Sequence, residues 1–251
     1  MSEPDLYRRL GAAPPGGRKE VYEAVYDELY GEREKSAAPL WPPKPRRQRR
    51  ISLYKEIIGR GHARILELGC GIGDLTYSLA GHAETVIGTD VSARAVEWAR
   101  KRRRLWESRE TLPGAVEFLQ MDAVRLNFPD EFFNCVVSTS MIEHLYPDDV
   151  RPHLREAWRV LKPGGRYLVW CPNRLGAHRD RHVHFSMFSY RELIKEMERV
   201  GFRRFRSPLF AGPPLVSARF KVFLEGLLST LRLRVLWSHL GVRNILLVAT
   251  K

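Results

Sequence analysis

The sequence predicts an α/β protein, a doubly wound and mostly parallel sheet of seven strands with helices on both faces. Three observations predict it. Short apolar segments of strand length alternate along the chain with segments whose apolar residues recur at helical spacing. A glycine-punctuated turn, Gly69-Cys70-Gly71-Ile72-Gly73, joins the first of these strands to a helix, and open parallel sheets bind ligands outside such strand ends. The length of 251 residues suits one such domain with appendages better than two, and a hydrophobic fraction of 44% is that of a chain with a real core.

Within residues 17–30, Val21, Val25 and Leu29 share one helical stripe, and Tyr22, Tyr26 and Tyr30 share the next. Both stripes read as packing. Ala37 to Pro45 is too rich in proline to be helical through its middle, and it carries an isolated Trp41. Residues 1–50 are therefore expected to form a helical arm with a basic, proline-rich linker. Residues 51–251 are expected to form the domain, with a helical insertion near 211–240. Its expected elements begin with a helix over Ile51–Ile58 and a strand over Arg64–Leu68. After the glycine turn a helix starts at Asp74; Thr85–Gly88 is the second strand, closed by Asp90, and Ser92 caps a helix carrying Ala95, Val96, Trp98 and Ala99. Val116–Gln120 and Phe132–Ser138 are the third and fourth strands.

A helix begun by Asp148 or Asp149 ends at Lys162-Pro163-Gly164-Gly165, before a fifth strand over Arg166–Trp170. A polar loop with His178, His182 and His184 follows. Ser189 and Glu192 form a capping box for a helix that ends at Gly201. Arg204–Leu209 is a short strand, Val216–Trp237 a strongly apolar helical stretch, and Asn244–Thr250 the last strand. On that stretch Val216, Phe220, Phe223, Leu224, Leu227, Leu228 and Leu231 make an apolar face. It suits core packing, a hydrophobic substrate, a dimer partner or a membrane surface.

Alternate glycines serve a turn that needs unusual φ values and that a ligand touches without meeting a Cβ. A dinucleotide fingerprint would place a glycine sixth from Gly69, where Asp74 stands. The turn thus favours a cofactor without a pyrophosphate. Glu67, two residues before the first glycine, is placed to meet a cationic amino group. Asp90, ending the second strand, is placed to accept from ribose hydroxyls.

Glu67-x-Gly69-x-Gly71-x-Gly73 resembles the first motif of class I S-adenosylmethionine-dependent methyltransferases, and the run from Ser140 to Asn173, with EHLYPDDVRPHLREAWRVLKPGGRYLVWCPN, resembles the type 11 group, which includes the ubiquinone-pathway O-methyltransferases. The resemblance covers Glu67 to Asn173. It implies a Rossmann-like methyltransferase sheet with S-adenosylmethionine lying across Glu67, Gly69, Gly71, Gly73, Asp90, Met121 and Asp122. Asp122 would accept from the adenine amino group and Met121 would line one adenine face. The implied reaction is methyl transfer to oxygen or nitrogen of a small or amphipathic metabolite. Near the transferred methyl the resemblance points first to His144, with Glu143 orienting it, and then to His182 and His184 as further bases. Ubiquinone-pathway and some RNA-end enzymes carry E-x-x-E-H in this loop; here Ser140 replaces the first glutamate. No metal is expected, because hard magnesium prefers several oxygen ligands.

The net charge of +13 favours anionic partners, whether nucleic acid, lipid or acidic substrate. It is concentrated in Lys44–Arg50 and in Arg100–Arg104, the latter at a helix end where cations complement the dipole and stay solvated. The [DN]-P-P-[YF] loop of amino-group methylases is absent, Thr139-Ser140-Met141 standing there. No cysteine follows the fourth strand closely enough for pyrimidine C5 chemistry. RNA ribose or end methylation remains an alternative, supported by the basic arm, as does a non-catalytic module that binds S-adenosylmethionine. Cys70, Cys135 and Cys171 read as small buried hydrophobes. The first residues, MSEPDLYRRL, are too charged for a signal peptide, and no apolar run reaches ~18 residues. A cytoplasmic location is expected, with peripheral membrane contact open and the oligomeric state unassigned.

Overall fold

The structure is a computed structural model that describes residues 3–36, 45–107, 113–175, 184–208, 215–230 and 244–251. It divides into two compact units, Met1–Asn127 and Phe128–Lys251. The expected linker with Trp41, the histidines His178 and His182, Leu231 and the two ends of the expected insertion, 211–214 and 231–240, lie outside the described residues.

The first unit opens with three helices, α1 (Glu3–Gly11), α2 (Arg18–Ser36) and α3 (Pro45–Ile58). It continues with β1 (His62–Leu68), α4 (Asp74–Ser78), β2 (Ala83–Asp90), α5 (Ala93–Glu107) and β3 (Ala115–Gln120). Its strands pair in parallel in the order β3-β2-β1. The register sets Glu67 opposite Gly88 and Asp90 opposite Gln120, so both acidic groups stand at carboxyl ends of strands. Val25 and Leu29 of α2 are buried as the stripe requires, and the rings of Tyr22 and Tyr26 stack 5.8 Å apart.

Two readings of the basic runs need correction. Lys44–Arg50 is not all linker: α3 begins at Pro45, whose fixed φ suits a first helical turn. The Arg100–Arg104 run is not simply solvated. Arg100 donates to the Phe118 carbonyl at 2.6 Å, Arg103 donates to that of Val116, and Arg102 is only 2% exposed. Beneath them Cys70, Tyr77, Val96, Ala99, Val116 and Phe118 form one apolar cluster. Burying a side chain the size of Phe118 stabilises by roughly 1.5–3 kcal/mol.

The second unit contains β4 (Phe133–Thr139), α6 (Pro147–Val160), β5 (Leu161–Pro172), α7 (Tyr190–Val200), β6 (Arg203–Pro208), β7 (Leu215–Ser217), α8 (Ala218–Thr230) and β8 (Asn244–Thr250). The strand order is β4-β5-β8-β6-β7; β4 and β5 are parallel, and the other pairings are antiparallel. Three strands in the first unit and five in the second make eight rather than seven among the described residues. The addition is β7, whose three residues are too few to show a period. Lys162–Gly165 does not stop short of β5 but lies within it, beside a register shift between Phe133 and Cys135 that absorbs the extra residues. The capping box forms as expected: Ser189 accepts from the Glu192 amide while the Glu192 carboxylate accepts from that of Ser189.

Candidate functional site

In the first unit the chain turns from β1 into α4 through Gly69, Gly71 and Gly73, with φ of 70°, 53° and 83°. Gly73 caps α4 in the left-handed region, and a Cβ there would come within 2.7 Å of Phe118 and 2.9 Å of Tyr77. A side chain is excluded both by conformation and by space. At Gly71 the neighbour is unexpected. A Cβ there would meet the Tyr30 hydroxyl of α2 at 2.7 Å, so the arm already approaches the backbone expected to face a ligand.

Three buried carboxyl groups surround this turn, each differently held. Asp74 pairs with the buried Arg102 at 2.7 Å and with Arg47 of α3 at 2.8 Å, and Arg102 also donates to the Ile72 carbonyl at 2.6 Å. Asp90 accepts from the Gly71 amide at 2.8 Å and from the Ser92 amide at 3.0 Å. It thereby braces the glycine turn itself. Burial still pushes its carboxyl up to about 6 despite those two bonds. Glu67 accepts from the Thr76 hydroxyl, and burial pushes it up to about 8. Both groups lack a full countercharge, and a cationic ligand would favour their ionised forms.

The arm fastens to the same region. Asp27 of α2 accepts from the Ser92 hydroxyl at 2.5 Å and from the Arg94 amide at 3.0 Å, while Ser92 caps α5 by accepting from Ala95. Burial, then the Asp90 carboxylate, raises the Tyr30 phenol well above its ordinary value. Met121 donates its amide to the Asp90 carbonyl at 2.9 Å, and Asp122 accepts from the Val124 amide at 3.0 Å; both residues are half-buried. The first unit thus gathers all seven residues expected around the cofactor. Its side-chain-free positions and its under-compensated carboxyls fit S-adenosylmethionine, which presents an ammonium, a sulfonium and a ribose diol.

In the second unit β4 ends at Thr139, and Ser140 then takes φ of 56°, a left-handed conformation uncommon for a residue with a Cβ. Its amide donates to the Trp170 carbonyl at 2.9 Å. The sharp turn delivers one 3₁₀ turn, Ile142–His144. Glu143 is 2% exposed, its Oε2 has no hydrogen-bond partner among the described residues, and burial pushes its carboxyl up to about 8. The rings of His144 and His184 meet edge to face with centroids 5.1 Å apart. Backbone pairing holds the two segments together, the Ser186 amide donating to the Glu143 carbonyl at 3.1 Å. Three of the four residues expected to be catalytic therefore converge, and the fourth, His182, lies outside the described residues.

Sequence reasoning missed Asp27, Tyr30, Arg47, Asp74 and Arg102 as partners in the first unit. Only Asp74 carried a signal, as the acidic residue where a dinucleotide fold needs glycine. The others act from distant positions. A further buried polar group, Ser138, Tyr167 and His153, is held by bonds of 2.8 and 2.7 Å to the Tyr167 hydroxyl and braces the second unit.

Residues 66–169 match the type 11 methyltransferase family, described as "Methyltransferase domain". The matched segment is similar to class I S-adenosylmethionine-dependent methyltransferase domains, and S-adenosylmethionine is the cofactor of that class. Among relatives, it is 34% identical over 113 residues to the ubiquinone/menaquinone biosynthesis C-methyltransferase UbiE of Pectobacterium carotovorum, covering 44% of this chain and 43% of that one. The chain spans less than half the length of that relative. The fold resembles a Thermotoga maritima structure described as an S-adenosylmethionine-dependent methyltransferase and possible histamine N-methyltransferase, with a TM-score of 0.59 at 20% identity over 92% of this chain and 99% of that one. It also resembles the [4+2]-cyclase SpnF, with a TM-score of 0.62 at 20% identity over 93% and 94% of the two chains. Such likenesses establish the fold alone, and a cyclase among them shows why chemistry has to be argued from side chains.

Proposed function

We propose that the chain transfers a methyl group from S-adenosylmethionine to oxygen or nitrogen of a small or amphipathic metabolite. The observation that carries this reading is the glycine turn of the first unit, where Glu67, Asp74 and Asp90 are buried around positions without side chains. In this reading Glu67 neutralises the ammonium, Asp90 accepts from the ribose diol while holding Gly71, and Met121 and Asp122 meet adenine. S-adenosylmethionine supplies, when bound, a methyl carbon already activated by its sulfonium. The chain's own contribution is positioning, which lowers such a barrier by ~7 kcal/mol or more. His144 is the group proposed to take a proton from the acceptor, with Glu143 and His184 beside it; His182 is proposed to line the same region.

Asp90→Ala should weaken S-adenosylmethionine binding by ~1–3 kcal/mol in calorimetry, through lost charged hydrogen bonds. An unchanged affinity refutes the placement. The small-molecule class is supported by the biosynthetic enzyme among the relatives. Because that enzyme is named a C-methyltransferase, the position of a labelled methyl in the product decides between carbon and a heteroatom. An amphipathic acceptor is further supported by α8, which exposes Phe220, Phe223 and Leu227. RNA is less well supported, since Arg47, Arg100, Arg102 and Arg103 already serve internal acceptors. No helix among the described residues is long and apolar enough to cross a membrane.

A further inference from the structure

We propose that Glu143, His144 and His184 bind one divalent transition-metal ion of the imidazole-preferring kind, such as Zn²⁺, in preference to Mg²⁺. The three residues each offer a ligand atom, and these atoms lie within 4.8 Å of one another. Donors around a tetrahedral zinc at ~2.0–2.2 Å stand about 3.4 Å apart. Shifts of roughly 1 Å at the side chains of His144 and His184, both half-buried, would close that gap.

The backbone is already set for this. The left-handed turn at Ser140 precedes the 3₁₀ turn that carries Glu143 and His144, and the bond from the Ser186 amide to the Glu143 carbonyl ties in the segment that carries His184. A second observation points to a ligand. Glu143 is buried and its Oε2 meets no hydrogen-bond donor among the described residues, a condition that costs free energy until something satisfies the oxygen. A cation held jointly with two imidazoles does so.

Donor chemistry decides which cation. The sequence leads to the expectation of no metal at all, and the proposed site departs from it: the ground for that expectation is that hard magnesium wants several oxygens, and Ser140 does remove one carboxylate. One carboxylate with two imidazoles is instead a donor set suited to zinc and its neighbours in the first transition row. Three protein ligands leave a fourth position open. With the metal bound, that position would take an acceptor hydroxyl and lower its pKa, in place of direct proton uptake by His144, which narrows the acceptor to an alcohol or phenol. This last step rests on the methyltransferase reading; the metal site does not.

The test uses the untagged full chain, stripped with a chelator and free of S-adenosylmethionine and acceptor. Zn²⁺ is titrated by calorimetry, and Co²⁺ by its visible d–d absorption. The expected result is one equivalent bound with a four-coordinate cobalt spectrum, undisturbed by excess Mg²⁺. Glu143→Gln and His184→Ala should each weaken binding at least tenfold. Should Glu143→Gln fail to fold, the half-buried His184→Ala carries the comparison. A wild-type chain that takes up neither ion, or variants that bind both ions as tightly as wild type, overturns the site. Metal binding by a chain that takes up no S-adenosylmethionine added afterwards would leave the site standing and sink the methyltransferase reading.

Discussion

The carboxyl groups of the two units are held in opposite ways. Around the glycine turn of the first unit, Asp74, Asp90 and Glu67 each accept from at least one protein donor, and two of them brace the backbone or a buried arginine. In the loop after β4, Glu143 is as deeply buried but one of its oxygens meets no donor among the described residues. The first arrangement is a frame already built, which a ligand completes. The second has an unmet requirement that a ligand supplies.

Breaking the frame should give the largest effect. Arg102→Ala removes a guanidinium that is 2% exposed and leaves the half-exposed Arg47 as Asp74's ion-pair partner among the described residues. Urea unfolding should report a loss of about 3–5 kcal/mol, as expected when one partner of a buried pair is deleted. A loss under 1 kcal/mol would mean that the frame is not held electrostatically.

Next comes the effect of pH on the frame. The Glu67 carboxyl is raised to about 8 by burial and that of Asp90 to about 6 by the same cause. A carboxyl raised in the folded state contributes stability that is complete below its unfolded pKa and is lost as pH rises through the folded value. For Glu67 the window runs from 4.5 to about 8. Without ligand, the chain should therefore lose on the order of a few kcal/mol between those limits. A cation bound at the turn reverses the preference. Binding S-adenosylmethionine at pH 7 should release protons, seen as a calorimetric enthalpy that varies with the buffer's ionisation enthalpy. No buffer dependence would mean that Glu67 does not meet the cation.

In the second unit, His144→Ala should lower turnover more than it lowers S-adenosylmethionine affinity, by ~10²–10⁴-fold if the imidazole acts as general base. Wild-type kinetics would remove it from the site. The smallest effect serves as a control on architecture. Ser189→Ala breaks one half of the capping box at the start of α7 and should cost ~1 kcal/mol in thermal unfolding. An equally large change in cofactor affinity would show that the units do not carry separate tasks.

The parts legible in the sequence were those whose cause is local. The glycine turn announces itself because only glycine tolerates those φ values at that spacing. The Ser189–Glu192 box and the last strand, found at its full extent of Asn244–Thr250, are likewise written in adjacent residues. What escaped depends on distant partners. No short-range pattern tells that Tyr30 will lie against Gly71, that Asp27 will anchor the start of α5, or that the arginines of α5 will turn inward to the carbonyls of β3. Helix-end arginines look solvated until the strand beside them is known. Nor does any short pattern around Ser140 tell that its backbone will turn left-handed just ahead of Glu143 and His144.

The account rests on the cofactor lying at the glycine turn. Ultraviolet irradiation of the full chain with methyl-labelled S-adenosylmethionine, followed by peptide mapping, tests this most directly. The account predicts label on peptides between Glu67 and Asp122, competed away by unlabelled S-adenosylmethionine. Competed label confined to other peptides, or no label at all, would contradict it.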